Sequence, residues 1–260
     1  MRASATLVAE LVHGETRVTT LACEPPLVAR TTGPGRIHLV AAAGGPCRGD
    51  DLTLHVRVGP GASLEVCSTG ATVALRGRVD DASVWRTSIE VAEGATLVWT
   101  PEPTVAAAGC RHVADTRVRL AADASLVLRE ELVTGRTGED PGGDLTAALR
   151  VERAGVAVYD QEMAVGPAAP VLGAYRAVGA LVAVGQPAPP AARLLGGLGF
   201  VAPLAAPDAW AATAVAPDAA ALRRLLSLGV PRQRDVRRGV GPDVPLHELP
   251  GQPREAREHC

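Results

Sequence analysis

The sequence contains no lysine and no asparagine, and aromatic residues make up only 2% of its 260 residues. Proteins that bind nucleic acids use a basic surface for the phosphates and aromatic side chains that stack on the bases. This chain has a net charge of -2 and only one Phe, two Tyr and three Trp. We therefore expect no nucleic-acid partner.

Long apolar segments and paired cysteines are also lacking. The longest apolar run, residues 177–185, is too short to cross a bilayer, and Glu10 interrupts the apolar N-terminal segment, unlike a signal peptide. The five cysteines are odd in number and form no CxxC pair, which is typical of reduced thiols. We expect a cytoplasmic protein with no membrane partner.

A strand–turn–strand pattern recurs along the first two thirds of the chain. In LTLHVRV, residues 52–58, apolar and polar residues alternate, which indicates a strand with one buried face. GPGASLEV then supplies a turn and a second strand. The same pattern returns at residues 88–99 and 117–128.

The spacing of these copies predicts the architecture. Leu64, Leu97 and Leu126 occupy equivalent positions, 33 and 29 residues apart, and a looser fourth copy over 145–159 puts Val156 in the matching place. Repeats of about 30 residues are typical of stacked supersecondary units. We predict a mainly β body over residues 1–185, either wound helically like a β-helix from stacked strand repeats or arranged as a layered sandwich.

The strand–turn–strand pattern of the sequence ends at about residue 185. Residues 186–230 leave room for about two short helices, one in PAARLLGGLG and a clearer one beginning near Pro217 and Asp218. The apolar face of the second helix consists of Leu222, Leu225 and Leu226. We predict a single domain over 1–230 and a disordered tail over 231–260, because the tail is charged, rich in Pro and Gly, and lacks apolar periodicity.

The stretch AAAGGPCRGDD, residues 41–51, invites several functional interpretations. It precedes a strand and lacks the GK[ST] of a phosphate-binding loop. Its Arg-Gly-Asp tripeptide would signal adhesion only in an extracellular protein. Cys47 and the neighbouring aspartates have no histidine nearby with which to complete a metal site. A Gly-Pro turn that leads into a strand is the favoured interpretation.

Two further clusters contain metal-binding residue types. In REELVTGRTGED, Glu130 and Glu131 fall on opposite faces of a strand, so they cannot act as a glycosidase pair, and the inward one needs a partner such as Arg129 or Arg136. A solvated hairpin end and a functional site both remain open here. Cys110 and His112 can share a strand face, but four ligands for structural zinc cannot be assembled.

Five short sequence motifs, taken in their order along the chain, show a family resemblance: GGPCRGD, VGPGASLEV, CSTGATVALRG, GATLVWTPEPTVAAAGC and LREELVTGRTGED. In this order they resemble the UreD/UreH family of urease accessory proteins over about residues 25–185. A weaker resemblance continues to about residue 230. The chain departs from the family at STGATVALRG, at Glu102, where glutamine is usual, and at Arg129, where an aromatic residue is common.

The resemblance implies a non-catalytic chaperone. Such proteins join a helical UreF-type partner and a GTP-hydrolysing UreG-type partner, dock on apo-urease and assist nickel delivery, with no stably bound cofactor. On this basis the second helix, through Leu222, Leu225 and Leu226, would contact the β body or the UreF-type partner. The alternative, a β-wound carbohydrate-active enzyme, is disfavoured by the few aromatic residues and the missing carboxylate pair.

The resemblance also implies a polar passage through which nickel moves. Nickel would be bound there only transiently. We expect Glu130 to be largely buried. It should either be ionised next to an arginine such as Arg136 or line that passage. The candidate lining residues are Asp50, Glu102, His112, Glu130, Glu139 and Asp160.

Overall fold

A computed structural model describes residues 1–139, 142–167, 172–189 and 191–230 of the chain. These residues form eighteen strands and one helix, α1 (Ala219–Ser227). The strands are β1 (Arg2–Val12), β2 (Glu15–Cys23), β3 (Leu27–Gly33), β4 (Arg36–Ala41), β5 (Asp51–Val58), β6 (Ser63–Ser68), β7 (Thr72–Ala74), β8 (Ser83–Val91), β9 (Thr96–Trp99), β10 (Thr104–Ala106), β11 (Arg111–Leu120), β12 (Ser125–Thr134), β13 (Asp144–Arg153), β14 (Val156–Val165), β15 (Ala177–Val184), β16 (Arg193–Leu194), β17 (Gly199–Pro203) and β18 (Ala209–Ala216).

The strands form two facing sheets that are wound as a β-solenoid of about four turns. The first sheet has the order β14-β13-β11-β8-β5-β1-β2, and its central neighbours β1, β5, β8, β11 and β13 are parallel. In the second sheet, β4, β6, β9 and β12 are parallel, and β15, β18 and β17 extend it with antiparallel pairs. The predicted helically wound, mainly β fold is confirmed.

The sequence repeat corresponds to the solenoid turn. Leu64 pairs with Leu97, and Leu97 pairs with Leu126, so that the three equivalent leucines stack in register in the second sheet. All three are buried between the sheets, in the main apolar core. Each copy therefore places one strand in the first sheet and the next in the second, and the stack buries the apolar face of each strand.

The fourth copy departs from this pattern. β13 and β14 pair antiparallel in the first sheet, and Val156 is 67% exposed instead of joining the leucine stack. Ala154 and Gly155, between these strands, both have positive φ, 50° and 78°. Two consecutive residues with positive φ make a tight hairpin turn that matches the strand twist. The chain therefore reverses within the sheet rather than crossing to the second one.

The C-terminal part contains one helix among the described residues. Helix α1 begins after Asp218, whose Oδ1 accepts a hydrogen bond from the Ala221 amide at 2.7 Å, as expected for an N-cap. The other predicted helix is replaced by the short strands β16 and β17. Gly196 and Gly197, with φ of 59° and 79°, form the turn between them, a conformation that a helix excludes.

Helix α1 packs on the outer face of the second sheet, against β12, β15 and β18. A second apolar cluster, which includes Leu222, Leu226 and Trp210, fills this contact. The outer face over β4 and β6, at the other side of the same sheet, has no such helix among the described residues. The single domain over 1–230 stays a prediction, and the predicted tail, 231–260, lies outside the described residues.

Candidate functional site

A cavity of about 140 Å³ lies between the two sheets. The first sheet contributes residues of β1, β5, β8 and β11, and the second contributes residues of β3, β4, β6, β9, β12 and the segment that follows β9. Apolar side chains make up much of the wall. The polar residues along the cavity are Ser68, Thr72, Thr87, Glu102, Thr104, His112, Thr116, Arg129, Glu130 and Glu131.

Glu130 is the acid of β12 that faces the space between the sheets. It follows Leu126 and Leu128 at period two, and these two leucines belong to the main core. Its Oε2 is buried and has no hydrogen-bond partner among the described residues. Burial raises the pKa of Glu130 to about 7. The carboxyl group is therefore half ionised near neutral pH.

The expected arginine partner of Glu130 is absent from its surroundings. Arg136 instead pairs with Glu139, donating from Nε to Oε1 at 2.7 Å at the exposed end of the strand. The interpretation of Glu130 as an ionised member of an arginine pair was wrong, because the strand ends before Arg136 and the turn brings that side chain to Glu139. The Glu130 residue is half-buried, with its Oε2 atom buried, and it lies in the cavity wall; its place in a nickel passage stays a prediction.

His112 reaches the same cavity from β11, in the first sheet. It is 3% exposed, and its Nδ1 lies 2.9 Å from Ser83 Oγ. Burial lowers the pKa of His112 to about 4, so the imidazole is neutral at pH 7. A neutral imidazole is the form that binds divalent metals.

The outer face of β12 carries a buried ion network. Glu131 Oε2 lies 3.4 Å from Arg129 Nε and 2.9 Å from Arg223 Nη2 of helix α1. Arg223 Nη2 also donates to Glu102 Oε2 at 2.7 Å. Burial raises the pKa of Glu131, and the two guanidinium groups oppose that shift. The network ties the helix to the segment that borders the cavity.

Arg129 supports the same segment through the backbone. Its Nη2 donates to the carbonyl oxygens of Thr100 at 3.4 Å and Pro101 at 3.3 Å. Sequence reasoning missed the role of Arg223, because its partners are 92 and 121 residues away in the chain and no local pattern joins them.

Three of the six predicted lining residues, Glu102, His112 and Glu130, lie in the cavity wall, and three do not. Glu139 is held by Arg136, whose side-chain hydrogen bond lowers the pKa of that carboxyl to about 2. Asp160 accepts from Arg150 Nε at 3.0 Å in an exposed pair between β13 and β14.

Asp50 is the third residue outside the cavity wall. Its carboxylate accepts hydrogen bonds from the Met1 ammonium at 2.6 Å and from the Cys47 amide at 2.8 Å. Residues 42–50 of this stretch thus form a loop between β4 and β5, as the turn interpretation predicts. The carboxylate of Asp50 closes that loop instead of facing the cavity.

The leucines of α1 are occupied within the chain. Leu222 and Leu226 are buried at 0% and 1% exposure in the cluster beneath the helix, and Leu225 is half-buried against the same cluster. Leu222 and Leu226 make the contact with the β body, the first of the two contacts expected for these leucines, and the binding of a partner by this helix stays a prediction. They lie on the side of the helix that faces β15 and β18 because the apolar stripe is the side that packs.

Cys23, Cys47, Cys67 and Cys110 are free thiols, while Cys260 lies outside the described residues. No cluster of three or more His, Cys, Asp or Glu side chains suited to holding a metal occurs in the described part of the chain. The same part contains no helix that is long and apolar enough to span a membrane.

Comparison with known proteins gives one consistent result. The family described as UreD urease accessory protein matches residues 1–240. The urease accessory protein UreD of Streptomyces avermitilis is 42% identical over 228 residues, which covers 82% of this chain and 90% of that protein. The UreD of a Parafrankia species is 43% identical over 259 residues, covering 87% and 86% respectively. UreD 2 of Saccharopolyspora erythraea is 43% identical over 205 residues, covering 74% and 72%.

These matches extend through both sheets and helix α1 rather than stopping at one motif. The chain therefore belongs to the UreD urease accessory protein family, whose members are non-catalytic proteins of urease maturation.

Proposed function

We propose that this chain is a cytoplasmic nickel-delivery chaperone that holds a UreF-type and a UreG-type partner on apo-urease. In this proposal the cavity between the two sheets is part of the route along which nickel passes to urease. Glu130 provides a carboxylate oxygen, His112 an imidazole, and Glu102 a carboxylate at the border of the cavity.

One observation carries the proposal: Glu130 Oε2 is buried, has no hydrogen-bond partner among the described residues, and belongs to a side chain in the cavity wall. A buried polar atom without a partner costs free energy, and an ion or a water molecule in the cavity would supply the missing contact. A bound cation would satisfy that oxygen while it is in the cavity, and would favour the ionised form of the carboxyl.

The donor set also suits transient handling. Carboxylate oxygen and neutral imidazole both coordinate nickel, but no cluster of three suitable side chains occurs in the residues that the structure describes. A cation would therefore meet one or two protein ligands at a time and exchange readily. This fits a passage better than a storage site.

The proposal is tested by filling the cavity without changing its charge. Ala114, on β11, lies in the cavity wall. Ala148, on β13, is half-buried and lies on the outer face of the same sheet. Ala114→Leu narrows the cavity, whereas Ala148→Leu adds the same atoms outside it. Each variant is expressed with the urease structural and accessory proteins in cells that lack their own copy of this chain.

We expect Ala114→Leu to purify with the same partners as the unmodified chain but to give at least tenfold less urease activity. Ala148→Leu should retain both properties. If the unmodified chain fails to purify with urease subunits or accessory proteins, the scaffold proposal is wrong. If Ala114→Leu activates urease normally, the cavity is not the route.

A further inference from the structure

A cysteine and a histidine meet on the outer face of the second sheet. Cys67 on β6 and His38 on β4 are direct partners in the parallel pairing of these strands. Cys67 Sγ lies 3.3 Å from His38 Nε2. The other ring nitrogen, His38 Nδ1, lies 2.7 Å from Thr32 Oγ1 on β3. The imidazole is thus oriented by one neighbour and presents its second nitrogen to the thiol.

We propose that Cys67 and His38 form a two-ligand site for a borderline or thiophilic divalent cation such as nickel or cobalt. Thiolate and imidazole are the side-chain ligands that such metals prefer over magnesium or calcium. A role for this site in nickel transfer rests on the proposed function, whereas metal binding by the pair does not.

The separation of the two atoms fits chelation by one ion. Bonds of about 2.3 Å to sulfur and about 2.0 Å to nitrogen, at angles from square to tetrahedral, separate the two ligand atoms by about 3.0–3.5 Å. The observed 3.3 Å lies within this range, so the separation of the two atoms suits a single ion. Thr32 fixes the ring through the second nitrogen, as outer partners of metal-binding histidines do.

The imidazole is open to solvent on one side, whereas the Cys67 side chain is buried. His38 is half-buried and Thr32 is exposed, and helix α1 packs over β12, β15 and β18 rather than over this side of the sheet. Burial raises the pKa of the Cys67 thiol, the negative charge of Glu65 adds to that shift, and the positive charge of Arg36 opposes it. A divalent cation that binds the sulfur releases its proton.

With two protein ligands, the remaining positions on the metal are left to water or to a ligand from another protein. Binding is then weak and rapidly exchanged, which suits transfer. The site also lies near the cavity, because the next residue, Ser68, is in the cavity wall and accepts a hydrogen bond from the Glu102 amide at 2.9 Å.

The experiment uses the full-length chain with Cys260→Ser, which removes the thiol next to His259 in the tail sequence. Cobalt and nickel are titrated separately, and a thiolate-to-metal charge-transfer band is recorded in the near ultraviolet. Further variants in this background are Cys67→Ser, His38→Gln and Thr32→Val. Cys23→Ser, which removes a half-buried thiol of β2, is the matched control.

We expect the band in the background protein and in the Cys23→Ser control, and its loss in Cys67→Ser. Affinity should fall at least tenfold in His38→Gln and about tenfold in Thr32→Val, the usual effect of losing an outer partner. Absence of the band in the background protein, or its survival in Cys67→Ser, would overturn the proposal.

A second measurement needs no substitution at the site, so a folding defect cannot obscure the result. Alkylation of each cysteine is followed by peptide mass spectrometry with and without nickel. Nickel should slow alkylation of Cys67 selectively, and a chelator should restore it. Equal rates with and without nickel would contradict the proposal. Neither measurement involves urease, so failure here is distinguishable from failure of the proposed function.

Discussion

Glu130 and Glu131 are neighbours in strand β12, yet their surroundings are opposite. Glu130 faces the space between the sheets, where its Oε2 has no hydrogen-bond partner in the described part of the chain. Glu131 faces helix α1 and lies between the guanidinium groups of Arg129 and Arg223. The period-two alternation of a strand places one acid on each side of the same sheet.

This difference separates two uses of a buried carboxylate. On the outer face, positive charges compensate Glu131, so the acid holds the helix and the cavity border together. On the inner face, no opposite charge among the described residues offsets the burial of Glu130, and its pKa is raised to about 7. The outer acid joins the helix to the sheet, and the inner acid is the one that the proposed nickel route uses.

The largest effect is expected on the outer face. Glu131→Ala leaves Arg129 and Arg223 without their shared buried carboxylate. Removing one member of a buried ion pair costs about 3–5 kcal/mol. Denaturant unfolding should show a free energy of unfolding lower by that amount. A loss under about 1 kcal/mol would mean that the network does not hold α1 in place.

The inner acid should instead make stability depend on pH. The usual pKa of the carboxyl is 4.5, and the folded protein raises it to about 7. Between these values the folded state binds more protons than the unfolded state, so the free energy of unfolding falls as pH rises through this window. The fall attributable to Glu130 is on the order of 3 kcal/mol.

Glu130→Gln removes this titration. The free energy of unfolding of the variant, relative to the unmodified protein, should therefore rise between pH 5 and pH 8. Glu162→Gln, at an exposed position of β14, is the control for loss of one carboxylate. A difference between Glu130→Gln and the unmodified protein that stays constant with pH would show that Glu130 is not the buried, uncompensated acid described above.

A smaller effect is expected at Gly179, where β15 lies close to both β12 and helix α1. A Cβ atom at Gly179 of β15 would lie 2.6 Å from the Glu130 carbonyl oxygen and 3.1 Å from Leu222 Cδ2 of α1. Gly179→Ala should cost about 1–3 kcal/mol through overpacking. Gly70→Ala, where a Cβ meets nothing within 4 Å, is the matched control and should cost little. Equal stability of the two variants would argue against the close approach of α1.

The smallest effect is expected at an exposed pair. Arg150 and Asp160 pair across β13 and β14, and both side chains are 52% exposed. Solvent screens such pairs and side-chain entropy opposes them. Asp160→Asn should leave the unfolding transition unchanged within error. A clear loss of stability would mean that exposed pairs, and not only the buried network, support the sheet.

The sequence predicted the parts of the fold that repeat. Leu64, Leu97 and Leu126 stack because a period of about 30 residues leaves each strand beside its equivalent in the next turn. It did not predict the fourth turn, where the φ values of Ala154 and Gly155 redirect the chain into a hairpin. The two-residue turn determined the path of the chain here, although the surrounding apolar pattern resembles that of the other repeats.

The candidate site was predictable only in part. Period-two alternation placed Glu130 and Glu131 on opposite faces, but the choice of arginine partner depends on contacts distant in the chain. Arg223 reaches Glu131 from a helix 92 residues later, whereas the nearby Arg136 turns to Glu139. The pairing of Cys67 with His38 likewise arises from strand register, which the spacing of single residues does not reveal.

The most direct test of the central claim measures urease activation against nickel concentration with Glu130→Gln. The substitution keeps the shape of the side chain and removes its charge, and the complex with partner proteins is purified in parallel. We expect assembly to be retained and activation to fall at limiting nickel, with recovery as nickel is raised. Activation equal to that of the unmodified chain at every nickel concentration would contradict a nickel route past Glu130, and loss of assembly would make Glu130 a structural residue.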